Sequence, residues 1–450
     1  MTNYLDDINI LLSLGVASIL YLLGLAYAMS NKTTGRSFAI KIFSIAFVIR
    51  IMSVLVVYYS LISMGGDGYV IHDDRAYNRT ALEISADLAS HKPGFKEYGS
   101  GYVNIAYFNI NGFLYHHLNF DTVTSRVLNA FFGSLVVLLV YYIMLQLFDF
   151  RVAKIAAILV AIVPNMIFWS ASQVKDPLII LCTISIIYIM ICKLRNSINV
   201  VYFIPYAFFM FLLWHLRKDF CFPLISVSIV WLLFRSSLLK RFFDNPRRSM
   251  FSKMTIMSLF AVPLLVALLA TSAGGKFVST IGKFNEMQES LSSSGGGSQA
   301  IGFSRYLRVV TIKDFYKLPP AMAFTAIAPL PNFNKVMNPI DLGSKMYSMI
   351  NLVLVIFLPF VAVGFWKFKS PNMKFTDELL IKWIPVLTWI SISIIYMGIP
   401  RYKASLVVYF LMWGAVGWRY RQKNRKTILF VYATGAVCIL AILPVIAIFR

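Results

Sequence analysis

Four short polar clusters hold the residue types able to do chemistry: His72-Asp73-Asp74, Lys175-Asp176, His215-Leu216-Arg217-Lys218-Asp219 and Arg401-Tyr402-Lys403. Asp73 and Asp74 offer a carboxylate that can take a proton from an attacking hydroxyl. Lys175, Arg217, Lys218, Arg401 and Lys403 offer cations that can hold a departing phosphate. Arginine grips phosphate through two parallel donors, while lysine acts as a compact point charge. The set suits transfer of a sugar from a polyprenyl-linked donor to a hydroxyl. Each cluster also has a plainer reading. Two acids at a helix start favour the dipole, and Lys175-Asp176 before Pro177 can be an interfacial ion pair at a helix start. Arg217, Lys218 and Asp219 can hold a turn at headgroup level, and Arg401 and Lys403 can snorkel. His72, His91, His116, His117 and His215 have no metal-ligand spacing. Asp73, Asp74 and Asp176 could give oxygen ligands to a divalent ion, but no spacing demands one, and no cofactor is expected.

The elements that must position these clusters are apolar helices. The chain has 450 residues, of which 59% are hydrophobic and 14% charged, and its mean hydropathy is +0.72. A soluble domain carries about 25% charged residues. Apolar runs of about 20 residues are long enough to cross roughly 30 Å of hydrocarbon, and backbone in lipid must be satisfied within its own segment. The expected fold is therefore an all-α polytopic transmembrane bundle of twelve spans: 8–29, 39–63, 122–147, 152–170, 177–193, 199–215, 220–235, 254–272, 346–366, 379–398, 403–418 and 428–448. The first span follows Asp6 and Asp7, with no basic residue in the preceding segment, so it is expected to be retained and not cleaved as a signal peptide. Cys182, Cys192, Cys221 and Cys438 fall in or beside spans and read as small apolar packers.

The net charge of +23 follows the loops and does not mark a nucleic-acid surface. Alternate loops, carrying Lys32 to Lys41, Arg151 and Lys154, Lys193 and Arg195, Arg235 to Lys253, Lys367 to Lys374 and Arg419 to Lys426, hold half of the 42 basic residues. The positive-inside tendency makes these loops cytoplasmic and both termini outward. All four polar clusters then share the outward face. Two outward segments are long, at about 65–120 and 273–345. The first includes Ala81, Leu82, Ile84, Ala86 and Leu88, a pattern that can lay an amphipathic helix on the interface. The second contains Ser292–Ser298, a flexible-linker composition suited to a lid, followed by Pro319-Pro320 and Pro329-Leu330-Pro331 around a short apolar stretch that reads as re-entrant or juxtamembrane.

The string Asp73-Asp74-x-x-Tyr77-x-x-x-Ala81 resembles the first outward-loop pattern of GT-C glycosyltransferases, in particular bacterial relatives of protein mannosyltransferases and aminoarabinose transferases. Three further stretches are similar to the later motif series of those families. They are Arg126-x-x-Asn129, the spaced alanines of Ala153–Pro164, and Ser170-x-x-x-x-Lys175-Asp176. The likeness covers about 65–190; beyond it stand only Ala328-Pro329-Leu330-Pro331 and Pro400-Arg401-Tyr402. The resemblance implies an inverting transferase that uses a polyprenyl-phosphate or polyprenyl-diphosphate sugar, with Asp73 or Asp74 as the base. Tyr77, Arg126, Lys175, Asp176, Arg217, Lys218, Arg401 and Lys403 would bind substrate. Arg126, near the outward end of its span, is costly in lipid unless it meets an acid or a phosphate.

The expected organisation is an extra N-terminal helix at 1–37, a GT-C-like core at 38–235, a basic loop and span at 236–272, the outward loop at 273–345 and a four-helix region at 346–450. No large soluble domain follows, so a glycan or glycolipid acceptor is expected. The setting would be bacterial surface polysaccharide assembly, with the site facing outward from the inner membrane. A repeat-unit polymerase would share the outward arginines and the large late loop. A transporter would keep its ionisable groups near the middle of spans, whereas here nearly all lie at span ends.

Overall fold

A computed structural model describes residues 10–30, 35–91, 105–195, 199–235, 312–327, 339–371, 373–395, 403–430 and 432–433. Among the described residues every regular element is helical. They begin with α1 (Ile10–Ser30), α2 (Arg36–Ser63), α3 (His72–Ala89), α4 (Ile105–Leu118) and α5 (Thr122–Leu147). Next come α6 (Phe150–Ile162), α7 (Pro164–Ser170), α8 (Asp176–Tyr188), α9 (Phe203–Leu216) and α10 (Lys218–Arg235). The last are α11 (Leu318–Ile327), α12 (Pro339–Trp366), α13 (Ile384–Ile395) and α14 (Ala404–Arg419). Among the described residues, five helices are long and apolar enough to cross a membrane, or six if α6 and α7 form one bent span. The protein is accordingly read as an integral membrane protein. Of the twelve expected spans, 254–272 and most of 428–448 lie outside the described residues, as do Ser292–Ser298 and Cys438. Two other expected crossings begin irregularly: the 379–398 segment opens with a π-helical turn at Leu379–Trp383 before α13, and the 199–215 segment opens with a 3-10 turn at Val200–Tyr202 before the 14 residues of α9.

The chain divides into two compact units, the first comprising Met1–Lys218, Pro329–Asn372 and Lys403–Ala441. Its centre is α5, packed against α1, α2, α6, α7 and α8. Asp121 caps the start of α5 by accepting from the Thr124 amide at 2.6 Å, and Asp149 does the same for α6 through the Val152 amide at 2.8 Å. The extra N-terminal helix is fastened to α5 by the Ser13 and Thr124 hydroxyls, 2.7 Å apart.

The 152–170 stretch departs from the single span expected. It breaks at Val163 into α6 and α7, which are bent by 52°. Pro164 begins α7 and has no N–H to give to Val160 O, and proline rings clash with the carbonyl four residues back. Lipid offers no replacement donor. Arg50, fully buried within α2, supplies one: its Nη2 donates to Val160 O at 3.0 Å and its Nη1 to Ala161 O at 3.3 Å. Gly133 of α5 leaves room for Ser170 and for this clamp, since a Cβ there would collide with Ser170 Oγ and lie 2.8 Å from Arg50 Nε.

The α12 and α14 pair crosses at glycine. A Cβ on Gly364 would collide with the Trp413 carbonyl, and one on Gly417 with the Phe360 carbonyl. Small residues at the crossing give the backbones the close approach on which packing in lipid depends.

The second unit comprises Asp219–Ala328, Met373–Tyr402 and Ile442–Arg450. In it the short apolar α11 packs on α13. Trp389 Nε1 donates to Met322 O at 3.1 Å, and Ser393 Oγ lies 3.2 Å from Thr325 Oγ1. The ten residues of α11 span roughly 15 Å, too short to cross hydrocarbon.

Candidate functional site

The α3 helix has one buried seam formed by Asp74, Tyr77, Ala81 and Ile84, spaced three and four residues apart as a helix face requires. The Asp-Tyr-Ala string is thus a packing register. Tyr77 meets the rings of Tyr107 and Phe108 at 5.0 and 5.1 Å, and Ala81 packs with Tyr115 and Phe120. Gly112 lets α4 approach Ile84 closely, where a Cβ would collide. Of the apolar residues expected on the membrane interface, Ala81 and Ile84 are buried, Leu88 is partly buried, and Leu82 and Ala86 are exposed.

The two adjacent acids are separated by this register. Asp73 is exposed at the first turn of α3. Asp74 is fully buried and engaged on three sides. Its Oδ2 accepts from Arg126 Nη2 at 2.8 Å and from the Val70 amide at 3.1 Å, and its Oδ1 accepts from the Gln173 amide at 2.9 Å. Asp74 therefore ties the loop before α3 and the turn after α7 to α5.

Arg126 and Asn129 stand three residues apart, on one face of α5. Arg126 takes the first loop: besides Asp74 it donates to Gly68 O at 2.8 Å, and its guanidinium lies 5.4 and 5.9 Å from the rings of Tyr58 and Tyr69. Asn129 takes the turn. Its amide nitrogen is 2.7 Å from Ser172 O, 2.8 Å from Val174 O and 3.0 Å from the Tyr107 hydroxyl. The Arg-x-x-Asn pattern in this way grips the first loop with one prong and the backbone next to Lys175 with the other. Arg126, expected to bind substrate, donates through its Nη2 to Asp74 and to Gly68 O of the protein itself.

A side-chain relay backs this grip, and the sequence reading assigned it no role. Gln173 Nε2 donates to the Tyr115 hydroxyl at 2.9 Å, Tyr115 donates to Asn78 Oδ1 at 2.6 Å, and Asn78 Nδ2 donates to the Tyr69 hydroxyl at 2.6 Å. Burial pushes the Tyr107, Tyr115 and Tyr69 phenols up from their usual pKa, which keeps all three uncharged.

The second acid–base cluster joins α8 to α9. Lys175 Nζ donates to Leu216 O at 3.1 Å, satisfying a carbonyl at the end of α9 where the dipole favours a cation. Arg217, next in the chain, has Nη1 3.9 Å from Asp176 Oδ1. Both residues of this pair are buried, as is Lys175. Contacts thus link Asp74 to Arg126 and to the 171–175 turn, and Lys175, Asp176 and Arg217 to one another through the end of α9, while Tyr77 packs on α4 and Asp73 stays exposed on α3. Lys403 is buried at the start of α14. The side chains of His72, Lys218 and Asp219, and Arg401 altogether, lie outside the described residues. No three His, Cys, Asp or Glu side chains among the described residues group as metal ligands.

Arg50 also escaped the sequence reading. The available signal was an arginine 11 residues into an expected span, a position where a charge needs a partner.

No protein-family model matches this sequence, and no curated protein matches it. Among solved structures, the chain is similar to the archaeal oligosaccharyltransferase AglB from Archaeoglobus fulgidus in complex with an inhibitory peptide and a dolichol-phosphate, with 13% sequence identity and a TM-score of 0.48. The match covers 93% of this chain and 56% of the archaeal chain, so this chain spans little more than half the length of that enzyme.

Proposed function

We propose that the protein is a GT-C-like membrane glycosyltransferase, acting at the outward face of a bacterial inner membrane in surface polysaccharide assembly. It moves a sugar from a polyprenyl-phosphate or polyprenyl-diphosphate donor to a glycan or glycolipid hydroxyl. The observation that carries this reading is the tether from Asp74 to the Gln173 amide, which fixes an exposed acid, Asp73, at the start of the helix held against the Lys175 turn. Asp74 and Arg126 then act as positioning residues, and Asp73 is the base.

In the step proposed, the acceptor oxygen attacks the anomeric carbon from the side opposite the phosphate, which inverts that centre. The bond from carbon to phosphate oxygen breaks, the acceptor proton passes to the Asp73 carboxylate, and the phosphate departs with the bonding pair. Lys175 and Arg217, together with Lys218, Arg401 and Lys403, provide positive charge for the leaving group. The core is 38–235, with 1–37 as an added helix and 273–345 as an outward covering loop; no resident metal is required.

The test is release of lipid phosphate when the purified protein is incubated with polyprenyl-phosphate and polyprenyl-diphosphate sugars and a glycan acceptor. Asp73→Asn should lower turnover by about 100-fold or more, the range usual for a general base. Wild-type turnover by an Asp73→Asn protein that inserts and unfolds normally would remove the assignment.

A further inference from the structure

The end of the first unit opposite Asp74 carries a second concentration of positive charge. The two ends are separated by α5, whose 26 residues span roughly 39 Å, with Asp121 at one end and Asp149 beyond the other. At the Asp149 end lies a cleft of about 530 Å³ lined by Trp366, Lys367, Lys369, Ser370, Pro371 and Tyr420. No acid lines it. Its geometry follows from two packing facts. The glycine crossing of Gly364 and Gly417 brings the ends of α12 and α14 together, so two turns that are far apart in sequence share one opening. Phe368 is fully buried against the ring of Phe148, centroids 4.9 Å apart, and pins the turn between the two lysines. Lys367 and Lys369, on either side of that plug, are both exposed at the cleft.

The lining has two kinds of group. Lys367, Lys369 and the Ser370 hydroxyl suit a phosphate, and Trp366 and Tyr420 suit the boundary between headgroup and acyl chain. Trp366 is 81% exposed at the end of a span, where an amphipathic ring belongs at the interface. The neighbouring turn adds Arg419, Arg421, Lys423, Arg425 and Lys426. Of these, Arg419 has Asp149 at 3.9 Å, and Arg421 stacks 4.8 Å from the Trp418 ring. The basic loops mark this face as cytoplasmic, the leaflet whose anionic lipids attract such turns.

We propose that this cleft is a binding site for one anionic glycerophospholipid, its phosphate held by Lys367 and Lys369 and its glycerol region covered by Trp366 and Tyr420. The site is independent of the glycosyl-transfer reading.

The test is native mass spectrometry of the full-length protein in detergent, titrated with phosphatidylglycerol, phosphatidylcholine or inorganic phosphate. The wild type should retain phosphatidylglycerol at one saturable site. The variant Lys367→Gln/Lys369→Gln should weaken that site by about tenfold or more, because each basic residue near an anionic surface contributes roughly a fivefold effect. A charge-matched variant, Arg36→Gln/Lys41→Gln, alters two exposed residues elsewhere and should bind like wild type. Equal weakening in both variants would reduce the effect to net charge and overturn the proposal. So would equal retention of phosphatidylcholine, or inorganic phosphate displacing the lipid at similar concentration.

Discussion

Arg126 and Arg50 are both fully buried, one near the start of α5 and the other midway along α2, and their surroundings differ in kind. Arg126 neutralises a carboxylate, takes one carbonyl and lies near two aromatic rings. Arg50 bonds only neutral oxygens: the carbonyls of Val160, Ala161 and Ala46, and the Ser170 hydroxyl at 3.4 Å. The first arginine completes a charge pair that fixes two loops. The second repairs a backbone defect made by a proline. The comparison teaches that an arginine within a span can answer either to an acid or to carbonyls freed by a helix break, and that the two have different costs of removal.

Removing Arg126 leaves a buried carboxylate without its cation. Arg126→Met should therefore destabilise the protein by about 3–5 kcal/mol, read as a large fall in detergent thermal stability, and a loss below 1 kcal/mol would erase the distinction. Arg50→Leu leaves neutral carbonyls and also removes the cost of burying a guanidinium, so the loss should be smaller, about 2 kcal/mol. Gly133→Ala pushes a methyl against the Ser170 hydroxyl and the Arg50 clamp and should cost about 1–2 kcal/mol by overpacking. The smallest expected effect is the most specific. Pro164→Ala restores an N–H for Val160 O, so in the Arg50→Leu protein it should recover about 1 kcal/mol, and a double-mutant cycle with no coupling would refute the clamp.

Much of the fold was legible because apolar run length and capping residues speak directly of helices: α1, α2 and α5 lie close to where hydropathy puts them, and Asp121 and Asp149 cap as their types suggest. The break at Val163 was hidden by uniform hydropathy on both sides of Pro164, although the proline itself was visible. In the candidate site the chemically active residue types were readable, and contacts link Asp74 to the Gln173 amide and Lys175 to Leu216 O. Their division of labour was not readable. Whether Asp73 or Asp74 faces the core depends on the 100° step between neighbours on α3, and that phase is set by packing on α4 and by the Gln173 amide, a partner 99 residues away. Lys175 and Arg217 looked like phosphate ligands, and the structure adds that they also bind α8 to α9.

The most direct test of the account measures two quantities, thermal unfolding and glycosyl turnover, on Asp73→Asn and Asp74→Asn side by side. The account predicts that Asp73→Asn unfolds like wild type but loses turnover, whereas Asp74→Asn loses stability as its grip on Arg126 weakens. A stable Asp74→Asn protein without turnover, alongside a fully active Asp73→Asn protein, would contradict it.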